Sequence, residues 1–287
     1  MKYCRFSTGE GAQYGLVERV AGTEQITHTL PLDATGLPDI KKASRIAALP
    51  LAAASLLAPV EPSKIVCVGR NYSDHAKELG NEVPTEPLLF LKPPSSIIAS
   101  GRKIVRPRLS QNVHFEGELS VVIKKPCRNP ADNEDMRPYI FGYTCANDVT
   151  ARDLQKKDGQ FTRGKGFDTF CPIGPVVSDD PDPWKGVQLE TRVNGEVKQS
   201  GSTRDFIFAL DVVIRYIANV MTLLPGDLIL TGTPAGVGPL VAGDVVEVSV
   251  EGIGTLKNAV IDEGRQNWMG LPHSGARYAV CGEKFCL

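Results

Sequence analysis

The sequence of 287 residues has no excess of charge of either sign, because its formal net charge is −1. A basic nucleic-acid-binding face and an acidic solvating tail are therefore not expected. Long apolar segments are also missing. The longest apolar run, Ile46–Val60, is interrupted by Pro50 and Pro59. It is shorter than the roughly 20 residues that a membrane-spanning helix requires.

The N-terminal residues lack the apolar core of a signal peptide. The seven cysteines are scattered and show no C-x-x-C pair of the kind that binds zinc, although Cys281 and Cys286 come near that spacing. The P-loop spacing GxxxxGK[ST] is missing as well. We therefore expect a soluble, cytoplasmic protein with reduced, mostly buried cysteines and with neither a nucleic-acid nor a membrane partner.

Short apolar runs separated by Gly and Pro predict an α+β fold that is mostly β. Asn194-Gly195 between two such runs indicates a type I′ hairpin. Helical patterns predict one long helix at Phe206–Leu223 and a second, split by Pro50, at Lys41–Leu57. The predicted parts are a small N-terminal domain, a metal-binding catalytic domain and a C-terminal tail, at residues 1–60, 61–262 and 263–287.

Two glutamates begin an apolar strand in the segment HFEGELSVVI. The two-residue period of a strand places Glu116 and Glu118 on one face together with His114. Two carboxylates so close repel each other unless a positive charge lies between them, and oxygen ligands suit Mg²⁺ or Mn²⁺. The alternative is that both glutamates lie on the solvated face of an edge strand.

A third carboxylate, Asp148, follows the apolar run Tyr139–Ala146. A carboxylate just past a buried strand is a common place for chemistry, so Asp148 is the third candidate metal ligand. The alternative is that it caps the helix predicted around Ala151–Lys157. Three carboxylates would leave about three positions of an octahedral ion for water and substrate oxygens.

A short helix is predicted in GRNYSDHAKELGN, where His75 and Glu78 share a face. A carboxylate beside a histidine fixes the histidine tautomer and raises its basicity, so this pair could activate a water. The alternative is a surface pair on a mobile helix. Lys165, between two glycines, could stabilise a developing enolate or could be a solvated loop lysine.

Several motifs stand in one order between residues 63 and 260: VGRNYSDHAKE, LFLKP, HFEGELSVVI, NDVTARDLQ, GKGFDTFCPIGP, VNGE, GDLILTGTPAGVG and GDVVEV. Together they resemble the fumarylacetoacetate hydrolase family. The resemblance implies a mixed β-sheet roll of the type found in the C-terminal domain of that family, often preceded by a small N-terminal domain. It also implies a homodimer.

By this resemblance, Glu116, Glu118 and Asp148 bind Mg²⁺ or Mn²⁺, and Lys165 is the family lysine. His75 and Glu78 match the lid dyad of the shorter acylpyruvate hydrolase-type members. The substrate contacts of the family carry over to Arg70, Gln155 and Thr233. Two departures stand out: Gly69-Arg70-Asn71 lacks the additional aspartate ligand of the longer members, and the chain continues past Val260.

The resemblance implies a hydrolase acting on carbon–carbon bonds in ketonic substances. Its substrate would be an acylpyruvate- or fumarylpyruvate-like β-dicarbonyl acid, cleaved through a metal-stabilised enolate, as in aromatic catabolism. The same site could serve a decarboxylase of oxaloacetate-like acids or a keto–enol isomerase. A non-catalytic homodimer that binds a dicarboxylate is the remaining alternative.

Overall fold

The computed structural model describes residues 1–78 and 83–264, with residues 75–77 by their backbone alone. Within these residues the chain forms a 12-stranded mixed sheet, a five-stranded sheet and a three-stranded sheet. The prediction of a mostly β, α+β fold is confirmed. The predicted tail lies outside the described residues except for its first two.

The strands, in chain order, are β1 (Lys2–Thr8), β2 (Gly11–Val20), β3 (Thr23–Leu30), β4 (Ser44–Pro50), β5 (Leu56–Leu57), β6 (Ile65–Gly69), β7 (Leu88–Lys92), β8 (Ile97–Ala99), β9 (Lys103–Arg106), β10 (Val113–Phe115), β11 (Gly117–Ile123), β12 (Ile140–Asn147), β13 (Thr150–Ala151), β14 (Cys171–Ser178), β15 (Gln188–Val193), β16 (Glu196–Ser202), β17 (Leu228–Leu230), β18 (Gly238–Pro239), β19 (Val245–Val250) and β20 (Gly254–Asp262). The α-helices are α1 (Ser73–Glu78), α2 (Arg152–Asp158), α3 (Phe161–Lys165) and α4 (Leu210–Val220).

The large sheet runs in the order β4-β3-β2-β1-β14-β12-β11-β17-β6-β7, with β5 added to β1 and β8 added to β14. The N-terminal strands therefore continue the same sheet that carries β11 and β12, since β1 pairs with β14. The five-stranded sheet has the order β16-β15-β19-β20-β9, and the small sheet joins β13, β10 and β18. The predicted domain boundaries stay predictions.

Strand β11 lies in the middle of the large sheet and is buried along its whole length. Leu119 and Val121 pack in a core cluster with Ile214 of α4 and Val248 of β19. Val122 belongs to a second cluster on the opposite face. Because both faces of the strand are covered, most of its residues are apolar. Glu118 is buried with them, and a buried charge is stable only where nearby groups compensate it.

The helix predicted at Lys41–Leu57 is wrong. Residues Ser44–Pro50 form β4, which pairs antiparallel with β3 at the edge of the large sheet. Intrinsic helix propensity is a weak determinant of structure even for alanine, and pairing with an available strand outweighs it here. An edge strand also tolerates Pro50, because the missing N–H can face away from the partner.

The long helix is shorter than predicted, since α4 covers Leu210–Val220 and a 3₁₀ turn with a capping box occupies Thr203–Asp205. The hairpin prediction is confirmed: β15 and β16 pair around Asn194 (φ 53°) and Gly195 (φ 82°), as a type I′ turn requires.

Five cysteines are buried and free, as predicted: Cys4, Cys67, Cys127, Cys145 and Cys171. Cys281 and Cys286 lie outside the described residues. Within the described ranges, no helix combines the length and the apolar character needed to cross a membrane.

Candidate active site

Three buried carboxylates form the centre of the candidate site. Glu116, Glu118 and Asp148 are 4%, 2% and 1% exposed, and one oxygen from each lies within 4.8 Å of the other two. Such closeness in a buried environment is unfavourable for three negative charges without cations between them. The solvated edge strand considered from the sequence is therefore excluded.

The register between β11 and β12 brings the third carboxylate to the other two. Gly117 pairs with Asn147 and Glu118 with Ala146, so Asp148 follows directly beside Glu116. The backbone N–H of Asp148 donates to the carbonyl of Glu116 at 2.8 Å. Asp148 does not cap the next helix, because the N-cap position of α2 is Ala151 and carries no side-chain cap.

Lys165, the last residue of α3, is buried against the carboxylates. Its Nζ donates to Oε2 of Glu116 and to Oγ1 of Thr150, both at 2.9 Å, and also contacts Asp148. Burial alone lowers the pKa of Lys165, but the carboxylates of Asp148 and Glu116 outweigh burial and raise that pKa above its usual value. Lys165 is therefore a permanent cation rather than a solvated loop lysine.

Two further cations contact the carboxylates, and neither was predicted as a site residue. Lys92, at the end of β7, donates from Nζ to Oδ1 of Asp148 at 2.6 Å. Arg152, the first residue of α2, pairs with Glu116. Lys92 lies in the motif LFLKP and Arg152 in the motif NDVTARDLQ. Neither motif indicates which carboxylate, distant in the sequence, its basic residue contacts.

Glu118 differs from the other two carboxylates. In the described part of the chain it accepts from the backbone N–H of Gly232 at 2.7 Å and pairs with no lysine or arginine. Burial, and then the carboxylates of Asp148 and Glu116, raise the pKa of Glu118 well above its ordinary value. The positive charge of Lys165 and the N–H of Gly232 lower that pKa, but they do not outweigh burial and the two carboxylates.

This arrangement fits a hard divalent cation. The donors are carboxylate oxygens, which Mg²⁺ and Mn²⁺ prefer, and they converge from one strand and one strand end. A cation there would relieve the repulsion that raises the pKa of Glu118. Glu116 and Asp148 can bind a cation despite their lysine and arginine contacts, because each carboxylate has about four lone pairs.

His114 is separate from this cluster. It lies on β10 of the small sheet, and its Nε2 is 2.9 Å from Oδ1 of Asn112. Burial, followed by the charge of Arg152, lowers the pKa of His114 to about 4, so the ring is neutral near pH 7. The sequence pattern placed it on the face of Glu116 because it did not show that β10 and β11 belong to different sheets.

A cavity of about 440 Å³ opens onto the carboxylates. All predicted site residues with described side chains line it: Arg70, Glu78, Glu116, Glu118, Asp148, Gln155, Lys165 and Thr233. Lys156, Phe90 and Phe161 add to its wall. The side chain of His75 is outside the described part of the structure, so the predicted His75–Glu78 pair stays a prediction.

Two of these lining residues have unusual local positions. Arg70 has φ of 58°, a left-handed conformation that is uncommon for a residue other than glycine and is often found at functional sites. Glu78, on α1, accepts from the backbone N–H of Gly236 at 3.0 Å. This contact joins the predicted lid helix to the loop TGTPAGVG, residues 231–238.

The chain matches the family model of the fumarylacetoacetate (FAA) hydrolase C-terminal domain over residues 64–261, and residues 1–59 match a model described as Rv2993c-like, N-terminal. It is 43% identical over 226 residues to oxaloacetate tautomerase YisK of Bacillus subtilis, covering 73% of this chain and 74% of that protein. It is 46% identical over 198 residues to the mitochondrial oxaloacetate decarboxylase of Dictyostelium discoideum, covering 67% and 90%.

Solved structures agree with these matches. The crystal structure of 5-carboxymethyl-2-hydroxymuconate delta-isomerase from Mycobacterium smegmatis superposes with a TM-score of 0.82 at 41% identity, covering 92% of this chain and 100% of that one. The fold, the ordered motifs and the match to the family model agree, and the chain belongs to the fumarylacetoacetate hydrolase family.

Proposed function

We propose that the chain is a Mg²⁺- or Mn²⁺-dependent enzyme that interconverts the keto and enol forms of a small, doubly charged 2-oxo acid of the oxaloacetate type. The observation that carries the proposal is the buried trio Glu116, Glu118 and Asp148 at the base of a cavity lined by cations. The names of the tautomerase and decarboxylase relatives support the same substrate class.

The charges in and around the cavity favour a dianion. The three carboxylates are equalled in number by three cations, Lys92, Lys165 and Arg152, which contact Asp148 and Glu116. A divalent cation would therefore leave the centre with an excess of two positive charges. A substrate with two carboxylates compensates this excess, whereas a neutral ketone does not.

The bound divalent cation would supply Lewis-acid polarisation of substrate oxygens. In the metal-free protein Asp148 and Glu116 raise the pKa of Lys165, so we assign this residue the role of a positive charge rather than of a general base. Its three hydrogens are directed to Glu116, Asp148 and Thr150, so it would act on the developing enolate through the electrostatic attraction of its positive charge. Proton abstraction from carbon then requires another residue of the cavity wall, and Glu78 with the predicted partner His75 is our candidate.

The test is a direct assay of enol and keto oxaloacetate by ultraviolet absorbance, with protein stripped of metal and then supplied with Mg²⁺ or Mn²⁺. Asp148→Asn should lose both metal binding and most activity, whereas Asp158→Asn on the exposed end of α2 should change neither. Equal rates with and without chelator would contradict the metal role. No tautomerisation by metal-loaded protein would leave carbon–carbon hydrolysis and the non-catalytic dicarboxylate binder.

Carbon–carbon hydrolysis of an acylpyruvate is the second candidate. It is favoured by the position of Glu78 on the cavity wall, since the pair it would form with His75 could activate a water. A panel of acetylpyruvate, fumarylpyruvate, oxaloacetate and fumarylacetoacetate, with pyruvate and CO₂ followed separately, distinguishes hydrolysis, decarboxylation and tautomerisation. His75→Ala should abolish hydrolysis if the pair activates water.

Homodimer formation also stays a prediction, which sedimentation of the purified chain tests.

A further inference from the structure

We propose that Gln199 is a positioning residue that holds the backbone of Gly117, between the two glutamates, and sets the direction of the Thr233 hydroxyl proton. This inference rests on the metal site of the proposed function. Gln199 lies on β16 of the five-stranded sheet, 82 residues from Gly117 in the sequence, and is 1% exposed. No sequence motif related it to the site.

The side-chain amide of Gln199 uses its carbonyl and both of its hydrogens. Its Oε1 accepts from the N–H of Gly117 at 3.0 Å, and its Nε2 donates to Oγ1 of Thr233 and to the carbonyl of Pro234, both at 2.7 Å. The opposite orientation of the amide would oppose two donors at Gly117 and two acceptors at Pro234. The hydrogen-bond pattern therefore fixes the orientation of the amide.

The direction of the Thr233 hydroxyl follows from that orientation. Because Oγ1 of Thr233 accepts from Gln199, its own hydrogen is directed to the carbonyl of Gly117, at 2.7 Å. A hydroxyl has one hydrogen, so none remains for a substrate carboxylate. The substrate contact predicted at Thr233 must then use a lone pair of the hydroxyl or the backbone.

The backbone N–H and C=O of Gly117 are thus both held by side chains where a strand would otherwise pair. Strand β17 pairs with β11 from Val122 to Ser120 and then ends at Leu230. Continuing the same register by three residues places Thr233 opposite Gly117. The side chains of Gln199 and Thr233 replace the missing ladder at the position between the two candidate ligands.

The space around Gly117 is too small for any side chain at this position. A Cβ atom built on Gly117 would lie 2.0 Å from Oγ1 of Thr191 and 3.3 Å from Oε1 of Gln199. The absence of a side chain lets the five-stranded sheet approach the peptide closely. The spacing between Glu116 and Glu118 is therefore controlled by residues of β15 and β16, through contacts that do not involve the carboxylates.

The experiment measures Mn²⁺ affinity of the full, metal-stripped chain by calorimetry, without substrate. Gln199→Met keeps the length of the side chain and removes its polar atoms, and we expect Mn²⁺ to bind about 10- to 100-fold more weakly, as for other residues that orient metal ligands. Gln188→Met is the matched control, because Gln188 is exposed on the neighbouring strand β15, and it should bind Mn²⁺ like the native chain.

A second pair of variants protects the test against misfolding. Thr233→Val keeps the backbone but removes the hydroxyl and should weaken Mn²⁺ binding in the same direction, while Thr233→Ser should restore it. A folded Gln199→Met protein with native Mn²⁺ affinity would overturn the proposal. If Gln199→Met does not fold, equal affinities of the two Thr233 variants would overturn it, and a weaker valine variant would support it.

Failure of the proposed function has a different signature. Native protein that binds Mn²⁺ but does not convert 2-oxo acids contradicts the proposed reaction, and the variant affinities still decide the role of Gln199. Native protein that does not bind Mn²⁺ contradicts both proposals. A loss of thermal stability in Gln199→Met with unchanged Mn²⁺ affinity indicates a purely structural role and overturns the positioning role.

Discussion

The Nζ atom of Lys92 lies 2.6 Å from Oδ1 of Asp148, and neither side chain is more than 1% exposed. The same Nζ donates to the carbonyl of Val149 at 3.2 Å. Lys92 thus fixes the segment that follows β12 as well as the carboxylate itself. An ion pair this deeply buried is costly to break, because Asp148 loses one of its two cationic partners and cannot reach water.

Lys92→Met should therefore destabilise the metal-free protein by about 3 kcal/mol or more. The methionine fills similar space, so the loss reflects an Asp148 carboxylate left with Lys165 as its remaining cationic partner, rather than a cavity. Chemical denaturation in the presence of a chelator measures the free energy of unfolding. Lys157→Met, at an exposed position of α2, is the control and should change it by less than about 0.5 kcal/mol. A variant as stable as this control would contradict the role of Lys92.

The candidate metal ligands could be found from the sequence because their pattern is local. Glu116 immediately precedes β11, Glu118 is the second residue of β11, and Asp148 directly follows β12. An antiparallel pairing of those two strands suffices to bring all three together. What the pattern could not give is burial: a glutamate pair at the start of a strand looks the same at an edge and in the centre of a sheet.

The residues that support the ligands could not be predicted in the same way. Each supporting residue is distant in the sequence from the residue that it contacts, and the contacts depend on the whole topology. Lys92 contacts Asp148, Arg152 contacts Glu116, and Gln199 contacts Gly117. The failed helix at Lys41–Leu57 has the related cause that the neighbouring β3 decides the conformation of that segment. Local propensity does not contain such information.

The stability of the metal-free protein should depend on pH through Glu118. Burial, Asp148 and Glu116 raise the pKa of Glu118 in the folded state above its ordinary value of 4.5. The unfolded chain therefore releases this proton as the pH rises above about 4.5, whereas the folded protein keeps it. Folding stability is therefore fully present below that pH and falls as pH rises towards the folded pKa, by up to about 1.4 kcal/mol per unit. Mn²⁺ affinity should rise over the same window, because binding displaces the proton.

Thermal melting of chelator-treated protein between pH 4.5 and 8 tests this dependence, and Glu118→Gln isolates it. The glutamine keeps an oxygen for the N–H of Gly232 but carries no titrating proton. The native protein should lose stability with rising pH relative to this variant. Parallel profiles for the two proteins would show that Glu118 is not the titrating group.

Substitutions of Glu78 should distinguish two roles of its carboxylate: holding α1 against the loop at Gly236, and assisting proton transfer. Its carboxylate accepts from the N–H of Gly236, and a glutamine can accept the same bond. If Glu78 also assists proton transfer, Glu78→Gln should lower kcat about 100-fold with little change in KM, since general acid–base catalysis contributes on that order. Glu78→Ala should raise KM as well. A native kcat in Glu78→Gln would show that Glu78 only holds α1 against the loop at Gly236.

Lys156 should discriminate doubly from singly charged substrates. It lies on the cavity wall, is exposed, and follows the predicted substrate contact Gln155 on α2. Reversing its charge replaces an attraction for a second carboxylate with a repulsion, which should lower kcat/KM for oxaloacetate about ten-fold at low salt and less at high salt. A monocarboxylate such as acetylpyruvate should be affected much less.

The adjacent lysine provides the matched control for that experiment. Lys157 is exposed on the same helix but does not line the cavity, so Lys157→Glu makes the same change of net charge without entering the site. Kinetics for Lys156→Glu and Lys157→Glu with both substrates, at two ionic strengths, give the comparison. If both variants lose the same activity, the effect is that of overall charge. A loss confined to Lys156→Glu with the dianion identifies this side chain as the one that faces the second carboxylate.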